Sequence, residues 1–210
     1  MNKRIARGFD ILFDRFGKQH WWPGDSPWEV CTGAVLTQNT SWSNVEKAIA
    51  LMKSAGALDP RVVVELPGSE LEALIRPSGF FRIKTLRLKN MAVWWLANVR
   101  DSKLSAGRST AEWRQRLLEV NGIGPETADS ILLYCFKQPV FVIDAYTRRI
   151  AARHFGTAPE IAYHELQKLF MENLPVSAEL FNEYHALLVR NAKECCRKNI
   201  CLEDCPLRKI

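Results

Sequence analysis

Residues 121–128, Asn-Gly-Ile-Gly-Pro-Glu-Thr-Ala, constrain the fold more than any other stretch of the chain. Gly122-Ile123-Gly124 separates two segments whose apolar residues recur at helical spacing. Trp113, Leu117 and Val120 precede the glycines, and Ala128, Ile131, Leu132 and Cys135 follow them. A helical hairpin is expected, its second helix starting at Pro125, because proline in a first helical turn forfeits no hydrogen bond. Glycines let backbone amides approach an anion closely, and the free N–H groups of a helix N-terminus point the same way. Such a turn suits a backbone phosphate. Taken alone, a Gly-x-Gly is better read as a tight turn between helices.

Helical periodicity runs through nearly all of the 210 residues. Ile5, Phe9, Leu12, Phe13 and Phe16 form one stripe; Val45, Ala48, Ile49 and Met52 form another. Leu180, Tyr184, Leu187 and Leu188 mark a late helix. Ser69-x-x-Glu72 and Ser109-x-x-Glu112 have the pattern of capping boxes. The one extended run, 139–143, begins at a proline and is too isolated to build a sheet. The fold class expected is all-α. Hydrophobic residues make up 47% of the chain, enough for a packed core and too many for a disordered tail. The formal net charge of +6 mildly favours a polyanionic partner. Apolar stretches are broken by charges before the ~18 residues a membrane span needs. Asp10 and Asp14 interrupt any signal-peptide core, so no membrane association and a reducing, cytoplasmic setting are expected.

Twenty residues after Gly124, the apolar run Val140-Phe141-Val142-Ile143 ends in Asp144, followed by Ala145-Tyr146-Thr147-Arg148-Arg149. One acid delivered by a buried approach, beside a phosphate-binding turn, points to chemistry on DNA. A plain helix N-cap is the alternative reading of Asp144. Together with Gly33-Ala34-Val35-Leu36-Thr37-Gln38-Asn39-Thr40, these residues resemble the helix-hairpin-helix DNA glycosylases of the endonuclease III superfamily. Trp21-Trp22-Pro23, Leu36–Thr40 and Arg76-Pro77-Ser78-Gly79-Phe80 most resemble the 3-methyladenine DNA glycosylase III type. The resemblance implies two helical lobes with the active-site cleft between them. One lobe would span 27–136, with the hairpin at 121–125; the other would join 1–26 to 137–210. A monomer acting on double-stranded DNA with damaged bases, and nucleoid-associated when bound, is implied too.

Bifunctional relatives carry a lysine in the second hairpin helix that attacks the sugar. Aligning the motif puts Glu126 there, and a carboxylate cannot form an imine. The resemblance therefore implies a monofunctional enzyme that removes alkylated purines such as 3-methyladenine by hydrolysis. Asp144 would be the catalytic anion beneath an oxocarbenium-like sugar. Trp21, Trp22, Pro23 and Trp42, with Glu126, would form the pocket for a flipped cationic base. Gln38 would fill the gap left in the duplex, and Gly122, Ile123, Gly124 and Thr127 would hold the DNA backbone. Each has an ordinary counterpart: a hydrophobic staple at Trp21-Trp22, a core aromatic at Trp42, a helix-dipole acid at Glu126. Glycosylase action on oxidised or deaminated bases, and non-catalytic lesion binding, stay open as alternatives.

Cys31 and Cys135 fall on apolar faces and read as packing residues. Cys195, Cys196, Cys201 and Cys205 crowd the basic C-terminal segment. In the endonuclease III pattern, C-x6-C-x2-C-x5-C, four cysteines hold a [4Fe–4S] cluster, and the resemblance implies one here. The spacing departs from the pattern: Cys201 is one residue early, and the fourth ligand would fall just beyond Ile210. Cys196 is the substitute within the chain; zinc, an empty site, or disulfides, which a reducing setting disfavours, are the alternatives.

Overall fold

The computed structural model describes residues 3–101, 103–104 and 107–210. Among them the helices run in order as α1 (Lys3–Phe16), α2 (Pro27–Leu36), α3 (Trp42–Ser54), α4 (Pro60–Glu65), α5 (Gly68–Ile75) and α6 (Phe81–Asn98). They continue as α7 (Thr110–Leu118), α8 (Pro125–Ser130), α9 (Ala145–Ile150), α10 (Tyr163–Glu172) and α11 (Ala178–Glu194). α8 and α9 each continue into a π-helical turn, Ile131–Cys135 and Ala151–Phe155. The described β-structure is a two-residue antiparallel pair, β1 (Val99–Arg100) and β2 (Lys103–Leu104), with Val99 opposite Leu104, and one isolated bridge, Cys196 to Cys201. Residues 139–143 carry no regular secondary structure and join no ladder. The all-α expectation holds, and no described helix is long and apolar enough to cross a membrane.

Helix starts follow local chemistry. Ser26 caps α2 with its hydroxyl and Pro27 takes the first helical position. Ser109 and Glu112 close the expected capping box on α7. The box expected at Ser69 and Glu72 does not form: α5 already starts at Gly68, behind an N-cap Pro67 that lacks a side-chain acceptor. Proline at 67 fixes the entry into the helix one step early, which leaves Ser69 inside the first turn.

The chain divides into two compact units. One is Pro23–Phe136, carrying α2 to α8. Its core stacks Trp95 on Phe136, sets Trp28 edge-on to Trp95, and sets Trp94 edge-on to Trp113. Lys84 is also inside, its ammonium donating to the Leu36 carbonyl at the end of α2 (2.8 Å) and to that of Ser78 (2.7 Å). Burial, then the nearby Arg87, pulls its pKa down to about 8.

The other unit joins Met1–Trp22 to Lys137–Ile210. Phe141, Phe155, Phe170, Phe181 and Tyr184 make an aromatic core in stacked and edge-on pairs. The Tyr184 hydroxyl donates to the Ile5 carbonyl at 2.7 Å, tying α11 to α1. Gly8 permits that approach, since a Cβ there would lie 2.7 Å from the hydroxyl and 2.8 Å from the Phe155 ring.

Candidate active site

Asp144 follows four residues that are all at least 95% buried, and it is itself only 9% exposed. It is the N-cap of α9: one carboxylate oxygen accepts the Thr147 N–H at 2.7 Å. The other stands 3.5 Å from Nε2 of His185, a buried residue of α11. Burial is the largest influence on this carboxyl and pushes its pKa up. The charge and hydrogen bond of His185, with the bonds from Thr147, outweigh it and hold the pKa below the ordinary 3.8. Asp144 is therefore a fixed anion at neutral pH. The N-cap reading and the buried-acid reading are both true of it. His185 escaped sequence reasoning because it lies on the buried stripe of α11 with Phe181, Tyr184 and Leu188, where a histidine looks like packing.

The hairpin lies in the other unit. The turn after α7 brings Ile123 into the core, its N–H donating to the Val120 carbonyl at 3.0 Å, and α8 begins at Pro125 as expected. Gly122 has φ +91°, and a Cβ on it would meet the Arg87 side chain at 2.2 Å, so only glycine fits. Gly124, the N-cap of α8, faces open space. Gln38 is bound to the hairpin, donating to the Gly122 carbonyl and to the Thr127 hydroxyl, each at 3.0 Å. Its amide oxygen accepts from Arg87 at 2.6 Å. Entering a duplex would cost Gln38 all three bonds. A second brace, also unforeseen, is the bidentate pair of Arg114 on α7 with fully buried Asp129 on α8, at 2.7 and 3.1 Å.

Glu126 is exposed in the first turn of α8. Trp42 opens α3 half-buried, its indole N–H donating to Glu46 at 2.9 Å. Trp21 and Trp22 are half-buried and edge-on to each other at 5.6 Å; Pro23 is exposed. Trp21 also lines a pocket of about 270 Å³ with Gln19 and, from α11, Ala186, Val189, Arg190, Lys193 and Glu194. Asp144 is not among its walls.

The family model for the HhH-GPD superfamily of base excision DNA repair proteins matches residues 32–176. The chain belongs to that superfamily. A provisionally named DNA repair glycosylase of Methanocaldococcus jannaschii is 41% identical over 208 residues, 98% of this chain and 94% of that one. An endonuclease III of Sulfolobus acidocaldarius is 29% identical over 178 residues, covering 83% of this chain and 76% of its own. Among solved structures, the 3-methyladenine DNA glycosylase MagIII of H. pylori, bound to 1,N6-ethenoadenine, superposes with TM-score 0.75 at 26% identity. That match covers 92% of this chain and 98% of MagIII. The protein is a DNA glycosylase of the HhH-GPD, endonuclease III superfamily.

The cysteines near the C-terminus depart in geometry from the expected quartet. The Sγ atoms of Cys196, Cys201 and Cys205 lie 3.6, 3.6 and 3.9 Å from Nε2 of His154, in the π-turn after α9. Cys195 has no thiol contact of this kind among the described residues. A hydrogen bond from Cys205, then contacts from His154 and Arg153, pull the Cys196 thiol down to about 3 against its burial. The same pairing and burial push Cys205 up. A [4Fe–4S] cube fills the space between its ligands and holds each on a different iron. Ligand atoms of His154, Cys201 and Cys205 all lie within 4.8 Å of one another, too close for that body to sit between them.

Proposed function

We propose that this HhH-GPD protein is a monofunctional glycosylase that hydrolyses alkylated purines such as 3-methyladenine out of DNA. The observation that carries the reading is Asp144: a buried carboxylate, kept ionised and fixed by Thr147 and His185. Loss of the base leaves a sugar with positive character, and a preorganised anion stabilises it without reorganising at the moment of reaction. The same carboxylate can orient or deprotonate the attacking water. An N3- or N7-alkylated purine is already cationic, so its glycosidic bond is weak and no strong general acid is required. Indole faces suit such a base, which assigns Trp21, Trp22 and Trp42 to recognition. The kinship with MagIII supports that substrate class.

Hydrolysis without strand cleavage rests on residue 126. Glutamate stands at the position of the lysine nucleophile, and residues 125–135 contain no lysine. The amides around Gly122 and Gly124 take a phosphate without reading sequence, and Gln38 holds that turn in shape. The test is base release from methylated DNA, run beside duplexes containing uracil or thymine glycol. Fast release of 3-methyladenine alone is expected. Activity confined to thymine glycol would assign the endonuclease III type of specificity, which the S. acidocaldarius relative favours.

A further inference from the structure

We propose that the C-terminal cysteines hold one zinc ion, through His154, Cys196, Cys201 and Cys205, in place of an iron–sulfur cube. Four donors at Zn–N ~2.0 Å and Zn–S ~2.3 Å on a tetrahedron leave each nitrogen–sulfur pair ~3.6 Å apart. The three separations from His154 Nε2, 3.6, 3.6 and 3.9 Å, have that size. Cys196-x4-Cys201-x3-Cys205 also keeps the short intervals usual for structural zinc, with the histidine arriving from a distant element.

Local backbone structure explains why Cys196 is a ligand and its neighbour is not. Cys196 and Cys201 form an antiparallel bridge, which sets their side chains side by side on one face. Cys195 is still part of the helix end, the C-cap of α11 in helical conformation, and its carbonyl accepts the Leu202 N–H at 2.9 Å, so the bridge face begins only at Cys196. Outer partners are in place. Arg153 reaches the Cys196 sulfur at 3.4 Å and Asn191 donates toward the Cys205 sulfur at 3.8 Å. Arg153 also donates to the carbonyls of Arg197 and Lys198, at 2.6 and 2.5 Å, and Arg149 to that of Cys196 at 2.9 Å. The segment is thus folded around a close trio, His154, Cys201 and Cys205, with Cys196 held 3.6 Å from the same imidazole nitrogen. Cys196 and Cys205 are buried, whereas His154 and Cys201 are partly exposed and leave a route for the ion.

The experiment is metal analysis of the full-length protein, purified without oxygen, followed by titration with Co²⁺ after the native metal is removed. One zinc per chain, with neither iron nor acid-labile sulfide, is expected. One equivalent of cobalt should give the intense visible bands of a tetrahedral site and charge transfer from three thiolates. Cys195→Ser should keep the ion. His154→Ala should weaken zinc binding by more than the ~10–100-fold typical of losing an outer-sphere partner. Iron and sulfide in equal, cluster-sized amounts would overturn the assignment. So would a chain that binds neither zinc nor cobalt, or zinc lost in Cys195→Ser but retained in His154→Ala. The cobalt spectrum of the unmutated chain decides the matter even where a variant fails to fold.

Discussion

Asp144 uses its two oxygens differently, and that division makes its roles separable by mutation. One oxygen caps α9 through Thr147, and the other faces His185. Asparagine is as good an N-cap as aspartate but carries no charge. Asp144→Asn is therefore expected to slow base excision by ~10²-fold or more, with α9 still capped and DNA affinity little changed. Wild-type rates from that variant would remove Asp144 from the chemistry. His185 acts through Asp144, so His185→Leu should raise the carboxyl pKa, leaving only the Thr147 bonds to oppose burial; a carboxyl NMR titration reads this directly. The sign for stability follows. A carboxyl depressed in the fold contributes stability above its unfolded pKa and loses it as pH falls through the folded value. In His185→Leu the folded pKa moves up toward the unfolded one, so this acid loss should shrink. Asp144 was legible because a lone acid ends an apolar run. His185 was not, because only tertiary folding brings α11 to that carboxylate.

Between α7 and α8, two devices hold the hairpin, and they differ in how visible they are along the chain. The Gly-x-Gly turn and the Pro125 start can be read directly, since each depends on local backbone chemistry. Arg87, Gln38, Arg114 and Asp129 cannot: their partners lie 15 to 89 residues away. Sequence likewise misplaced the start of α5, where a proline overrides a serine. Gly122→Ala should destabilise the protein, because a positive φ costs an L-residue about 1–2 kcal/mol and the new methyl must also displace Arg87. The same change should weaken binding to intact and damaged duplexes alike, since phosphate contacts carry no base readout. Loss confined to damaged DNA would mean that the turn shapes the base pocket. Arg114→Ala removes a bidentate, charge-assisted partner from the buried carboxylate of Asp129; a loss of about 2 kcal/mol, or roughly 6 °C in Tm, is expected by calorimetry.

At the scale of the molecule, one fold serves two chemistries, so kinship alone does not choose between them. The superfamily was legible because its marks are short, local and chemically necessary: a turn for phosphate, an acid for the sugar. The metal centre was not, since its histidine lies far from its cysteines in the chain, in the π-turn after α9. Lyase activity requires an amine that can attack C1′ and be held there as an imine. The helix that supplies it in bifunctional relatives offers Glu126 in this chain and no lysine through residue 135. Guanidinium groups such as Arg148 and Arg149 stay protonated and do not replace it. Borohydride added during turnover on methylated duplex should therefore trap no covalent protein–DNA adduct, while free base accumulates and abasic strands stay intact until alkali is added. A borohydride-dependent adduct that persists in Asp144→Asn but vanishes when a single lysine is replaced would identify a nucleophile elsewhere, and the enzyme would then be a lyase.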